Sequence, residues 1–128
     1  MAHVMFELPV ISLSTHVRSG AGQLVSEFTA TFGLVCVVLG TSRHNPPAVP
    51  LAVGCYITAA YWFTASTSFA NPAVTLARSL SDTFAGIRPI DVPGFMVAQA
   101  LGAASAAAVF AWFGQAQVAK EEHRSETK

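Results

Sequence analysis

The sequence predicts an all-α membrane protein with three transmembrane helices and one re-entrant half-helix. Three observations predict it. Only 11% of the 128 residues are charged and 52% are hydrophobic, against about 25% charged in a typical soluble domain. Charge is absent from residues 44–77, a run of 34, and again from residues 92–119, a run of 28. Near the end of the first run, Asn71-Pro72 marks a helix start in a segment too short to cross a bilayer.

Each element follows from those patterns. A spanning helix needs about 20 largely apolar residues at ~1.5 Å rise each. The chain supplies three such stretches, residues 24–42, 48–67 and 92–118, and a mean hydropathy of +0.49 agrees. A soluble α-domain would need a charged shell that this composition does not provide. Residues 1–23 mix apolar and polar positions and read as an interfacial, loop-like leader. Arg43-His44-Asn45-Pro46-Pro47 stops the first helix, because proline and the residue before it resist helix continuation. Tyr61-Trp62-Phe63 suits the interfacial end of the second span, although core packing explains these rings as well. After the small polar stretch 64–70, residues 73–80 form about two helical turns, and Gly86, Pro89 and Pro93 turn the chain into the last span. Residues 119–128 are a charged, exposed tail. Three crossings put Arg43, Lys120, Arg124 and Lys128 on one side and Arg18 and Arg88 on the other. The positive-inside rule then makes the tail cytoplasmic.

Several function classes are excluded. Lys and Arg total 7 and are scattered, which does not suit nucleic acid. Cys36 and Cys55 fall inside expected spans and read as small packing residues. His3, His16, His44 and His123 are too dispersed for a metal site, so no metal or cofactor is expected. No nucleophile, base and orienting group fall together, so the chain is not read as an enzyme. Residues 1–23 lack the charged region and cleavage site of a signal peptide.

Asn71 is a preferred N-cap, and Pro72 suits the first helical position because its missing N–H would have been unpaired there. Irregular backbone at membrane depth is tolerated only where it is buried in protein or lines a watery cavity. A half-helix whose N-terminus faces such a cavity presents a positive dipole end, which repels protons and cations while neutral solutes pass. The Asn71 amide can donate to a passing oxygen, and the carbonyls of residues 67–70 can accept.

These residues carry a resemblance. Ser68-Phe69-Ala70-Asn71-Pro72-Ala73-Val74-Thr75 resembles the Asn-Pro-Ala re-entrant loop of the major intrinsic proteins, the aquaporins and aquaglyceroporins. Ser26-Glu27-Phe28-Thr29-Ala30-Thr31-Phe32-Gly33 resembles the glutamate-bearing helix that opens each half of that family, and Val97-Ala98-Gln99-Ala100-Leu101-Gly102-Ala103 the helix that closes a half. The match covers about residues 23–116 in the family's order and spacing. The resemblance implies half of an aquaporin-like fold, with residues 24–118 as the half-unit and Asn71, Pro72 and Ala73 as its pore motif. Residues 79–94 are similar to the second re-entrant loop of a bacterial branch associated with metalloid permeation, which favours the C-terminal half.

In that half most members carry a filter arginine three residues after the asparagine, and here the position is Val74. Ser68 and Ala59 map to two further filter positions. Small, uncharged side chains there imply a wider pore for water and neutral solutes such as glycerol or undissociated arsenite. In the N-terminal half, Val74 would be ordinary and that inference would fall. The resemblance assigns Glu27 to holding backbone N–H groups of the loop, and the plain alternative has it facing water at the interface. Arg78, about two turns along the half-helix, is expected to brace the loop or reach outward rather than line the pore. Ala98, Gly102 and Ala106 are small residues at i, i+4 spacing and point to close helix packing.

The implied function is a passive channel half-unit, multi-pass in the cell (inner or plasma) membrane. Its expected partners are lipid and a complementary half or a second copy, in a homo-oligomer that the resemblance makes a tetramer. The alternative is a truncated, non-conducting membrane protein that packs with a full channel or is a gene remnant. The loop-like start favours truncation or a split gene.

Overall fold

The structure is a computed structural model that describes the backbone of residues 2–7 and 9–126, and side chains as far as Gly114. Among the described residues it is all helical. A four-residue helix, α1 (Ala2–Met5), is followed by α2 (Ala21–His44), α3 (Val49–Phe63), α4 (Pro72–Ser79) and α5 (Val92–Glu126). One-turn 3-10 segments at Pro46–Ala48 and Pro89–Asp91 lead into α3 and α5.

The ends of these helices follow from local chemistry. Helix α2 stops at His44 because Asn45 leaves helical backbone (φ −151°, ψ 76°) and the two prolines that follow have no N–H to continue the ladder. Helix α3 ends at Phe63, four residues before the expected end at Thr67. Thr64 is extended (φ −105°, ψ 139°), and its hydroxyl and N–H both donate to the Ala60 carbonyl, at 2.6 and 3.1 Å. A threonine that satisfies itself on the preceding turn offers the chain an alternative to further helix. At 15 residues α3 is about 22 Å long, short of the ~30 Å hydrocarbon core. The two helices long and apolar enough to cross a membrane are Ala21–His44 and, counting its leading 3-10 turn, Pro89–Gly114. Helix α5 continues as backbone to Glu126; residues 127–128 and the side chains of the expected charged tail lie outside the described residues.

Helix α2 is the axis of the arrangement, with α5 packed along it and α3 beside it. Gly102 permits the α2–α5 approach: a Cβ there would lie 2.5 Å from the Phe28 carbonyl oxygen and 3.1 Å from the Phe32 nitrogen. Tyr56 ties α3 to α2 by donating to the Ala30 carbonyl at 3.0 Å. Only a small core is buried, formed by Phe69, Ile87, Val92 and Phe95 between the loop and the start of α5. The outer faces are apolar and open: Leu51 is 72% exposed, Trp62 83%, Val97 60% and Trp112 65%. A helix apolar on every face needs lipid or protein around it.

The segment ahead of α2 is held by hydrogen bonds to residues 79–91. Ser12 and Ser14 donate backbone N–H groups to the carbonyls of Leu80 and Ser79, at 3.1 and 3.0 Å. The Thr15 N–H and hydroxyl both donate to the Asp82 carboxylate, and the Arg88 N–H returns a bond to the His16 carbonyl at 2.9 Å. Residues 12–18 therefore run as an extended strap along residues 79–91.

Candidate pore site

The site is built around the bend between α3 and α4. Residues 64–71 leave helical geometry altogether, and Thr67, Ser68 and Ala70 take left-handed backbone at φ 59°, 47° and 48°. For residues with a Cβ that conformation costs roughly 1–2 kcal/mol each, so the bend persists only because its surroundings hold it.

Glu27, wholly buried on α2, does much of the holding. Its Oε1 accepts the Phe69 N–H at 2.8 Å and its Oε2 the Ala70 N–H at 2.9 Å. The Gln99 side chain on α5 donates to the same Oε2 at 2.6 Å and to the Thr75 hydroxyl oxygen at 2.9 Å. Thr75 in turn donates to the Asn71 carbonyl at 3.0 Å. One carboxylate thus joins α2, the bend and α5 through charge-assisted bonds, which are shorter and roughly twice as strong as neutral ones, and Gln99 extends the link to α4 through Thr75.

Asn71 caps α4: its Oδ1 accepts the N–H groups of Ala73 at 2.8 Å and Val74 at 3.4 Å. The amide oxygen is thereby committed inward, and the Nδ2 group of this exposed residue has no partner among the described residues. Pro72 and Ala73 are exposed beside it. The carbonyls of Thr67, Ser68 and Phe69 likewise accept no hydrogen bond among the described residues. A donor at the helix start and a row of free acceptors before it can both serve a polar, uncharged solute.

The remaining sequence-derived positions divide. Ser68 is buried in the bend, with its hydroxyl unpartnered among the described residues. Val74 is half-buried and packs against the Phe69, Ile87, Val92 and Phe95 cluster. Ala59 sits apart from the bend, on the open face of α3, in an apolar groove of about 520 Å³ with Leu51, Gly54, Cys55, Thr58 and Trp62. Arg78 lies with its guanidinium 4.4 Å from the centre of the Phe69 ring, behind the bend.

Two buried side chains that hold the bend are absent from the sequence-derived set. Gln99 appears there only within a helix-like match, although a glutamine in an apolar helix is itself a signal for a buried polar partner. Arg18 gave no signal beyond its charge. It is 3% exposed, and its guanidinium donates to the carbonyls of Gly86 (2.7 Å), Ser66 (2.9 Å) and Phe84 (3.0 Å) while lying 5.0 Å over the Phe69 ring. Burial and then the neighbouring Arg78 charge lower its pKa, with Glu27 acting against both. The Arg18 N–H also donates to Asp91 at 2.9 Å. The Asp91 carboxylate also accepts both arms of the Arg88 fork, at 3.1 Å each.

Comparison with known proteins points one way. Residues 43–128 match the family model described as major intrinsic protein (MIP). The chain is 57% identical over 115 residues to "Aquaglyceroporin AqpS" of Rhizobium meliloti (strain 1021), an overlap of 90% of this chain and 49% of that protein. The chain therefore spans about half the length of the curated relative it matches. No solved structure matches it.

Proposed function

The chain belongs to the major intrinsic protein family, and we propose that it is a channel half-unit that forms one half of a pore wall for water and small neutral solutes. It is a membrane protein with two long apolar helices. In this reading α3, with its leading 3-10 turn and the bend after it, completes a third crossing, and α4 is a re-entrant half-helix. Residues 24–118 form the half-unit, the C-terminal one of the two that enclose a pore, and the strap before it and the charged tail flank it. The relevant membrane is the plasma membrane, with the tail on the cytoplasmic side.

The observation that carries the reading is the capped, exposed start of α4, held by a buried carboxylate. Glu27 and the Asn71 cap satisfy the N–H groups of Phe69, Ala70, Ala73 and Val74, leaving the Asn71 Nδ2 and the carbonyls before it for a permeant. The positive end of α4 opposes cations and protons there. Uncharged, compact side chains at Ala59, Ser68 and Val74 favour a filter wide enough for glycerol and undissociated arsenite. The aquaglyceroporin name of the relative supports glycerol as a substrate class. Glu27 and Arg78 support the loop.

One half leaves the pore open along one side. A second copy or a complementary half closes it, in a homo-oligomer whose tetrameric form the family resemblance suggests. The open apolar faces at Leu51 and Trp62 also suit a non-conducting role in which the chain packs against a full channel. The purified chain in liposomes separates the two. The channel reading expects water, glycerol and arsenite permeability above empty vesicles; its absence, together with a monomer in detergent, favours the non-conducting role.

A further inference from the structure

We propose that Arg18 is a positioning residue for the pore loop, setting from the outer strap which backbone carbonyls a solute meets; this rests on the channel reading above. The bend 64–71 has two ends to be fixed. Glu27 takes the N–H groups at Phe69 and Ala70. The other end is fixed by Arg18, whose Nη1 donates to the Ser66 carbonyl at 2.9 Å. Between those anchors lie the carbonyls of Thr67, Ser68 and Phe69, without hydrogen-bond donors among the described residues, and two left-handed residues that would relax if either anchor were lost.

Arg18 is suited to this work by the shape of its head group. The other two donors reach the Gly86 and Phe84 carbonyls, and its plane lies over Phe69, whose N–H is the one Glu27 holds. A planar fork with five fixed donors can serve three carbonyls at once, which a lysine ammonium at the same place cannot. The arginine is itself aimed by its backbone: its N–H is bonded to Asp91, which the Arg88 fork also holds. The strap, the connection into α5 and the pore bend therefore converge on one buried side chain.

The role differs from general support in what it controls. A solute with several hydroxyls needs several acceptors in register, whereas water needs one at a time. Loss of Arg18 therefore penalises glycerol more than water. Losing one fixed acceptor is worth about a three- to ten-fold fall in the glycerol-to-water permeability ratio.

The test uses the full chain in vesicles, with protein per vesicle measured. Arg18→Gln is expected to lower the glycerol-to-water ratio by that factor, and Arg18→Lys to fall between it and the native chain. Thr15→Ala, which removes only the hydroxyl bonds to Asp82 and keeps the backbone one, leaves the ratio unchanged. A common fall in both permeabilities at constant ratio overturns the proposal, since that means fewer folded channels. If the native chain passes neither solute, the channel reading fails instead, and amide hydrogen exchange decides the matter. Faster exchange at Phe69 and Ala70 in Arg18→Gln, by about ten-fold or more, supports the positioning role; unchanged exchange overturns it. Should Arg18→Gln not fold, the charge-retaining Arg18→Lys is read by the same two measurements.

Discussion

Replacing Glu27 by glutamine keeps the size and shape of the side chain and changes only what it can accept. In the native site three donors converge on two carboxylate oxygens: the Phe69 N–H on Oε1, and the Ala70 N–H and Gln99 amide on Oε2. A glutamine amide offers one oxygen and one NH2. With its oxygen toward Phe69, its NH2 faces two donors. Gln99 can turn its amide over and offer the oxygen that is otherwise unpartnered among the described residues, which resolves one conflict but gives up its bond to the Thr75 hydroxyl oxygen. The Ala70 N–H has no such alternative and is left buried and unpaired, at about 1–3 kcal/mol, while the Phe69 bond falls from charge-assisted to neutral strength at ~1 kcal/mol. The total is roughly 2–4 kcal/mol, so the exchange rate of the Ala70 amide should rise by at least about thirty-fold. Hydrogen exchange with mass spectrometry on the chain in detergent reads this directly, and Glu27→Asp, too short to reach both amides, should behave similarly. Equal Ala70 protection in Glu27→Gln and the native chain would refute the assignment of Glu27 as the support of the bend.

Two further outcomes follow from geometry. Gly102→Ala places a Cβ 2.5 Å from the Phe28 carbonyl oxygen, an atom of backbone that cannot swing aside; overpacking of about 1–3 kcal/mol should appear as a lower melting temperature in detergent. Asp91→Asn weakens the acceptor shared by the Arg18 N–H and the Arg88 fork. Its melting temperature in detergent should fall by only a small margin, because the Arg88 partner is 36% exposed.

The parts of this structure that obey local rules were legible in the sequence. Asn71-Pro72 gave the start of α4 to the residue, since capping depends on neighbours only. The apolar stretch 24–42 points to α2 and the uncharged run 92–119 to α5. The expected second span runs four residues past the end of α3, because Thr64 reads as a tolerable helix residue until its hydroxyl is seen on the Ala60 carbonyl. The resemblance singles out Glu27, whereas its three donors are visible only where residues 42 to 72 positions away come together. Arg18 could not be found at all: its partners are backbone carbonyls, which every residue has, and no side-chain pattern announces them.

The strap of residues 12–18 also sets an order of events in time. Its partners at residues 79–91 are made more than sixty residues later, and Gln99, which completes the Glu27 network, follows those. When α2 and α3 have been made, the buried carboxylate and the strap's arginine are both without their partners. The bend therefore cannot be finished as it emerges, and it waits for residues 84–99 to supply the Phe84 and Gly86 carbonyls to Arg18 and the Gln99 amide to Glu27.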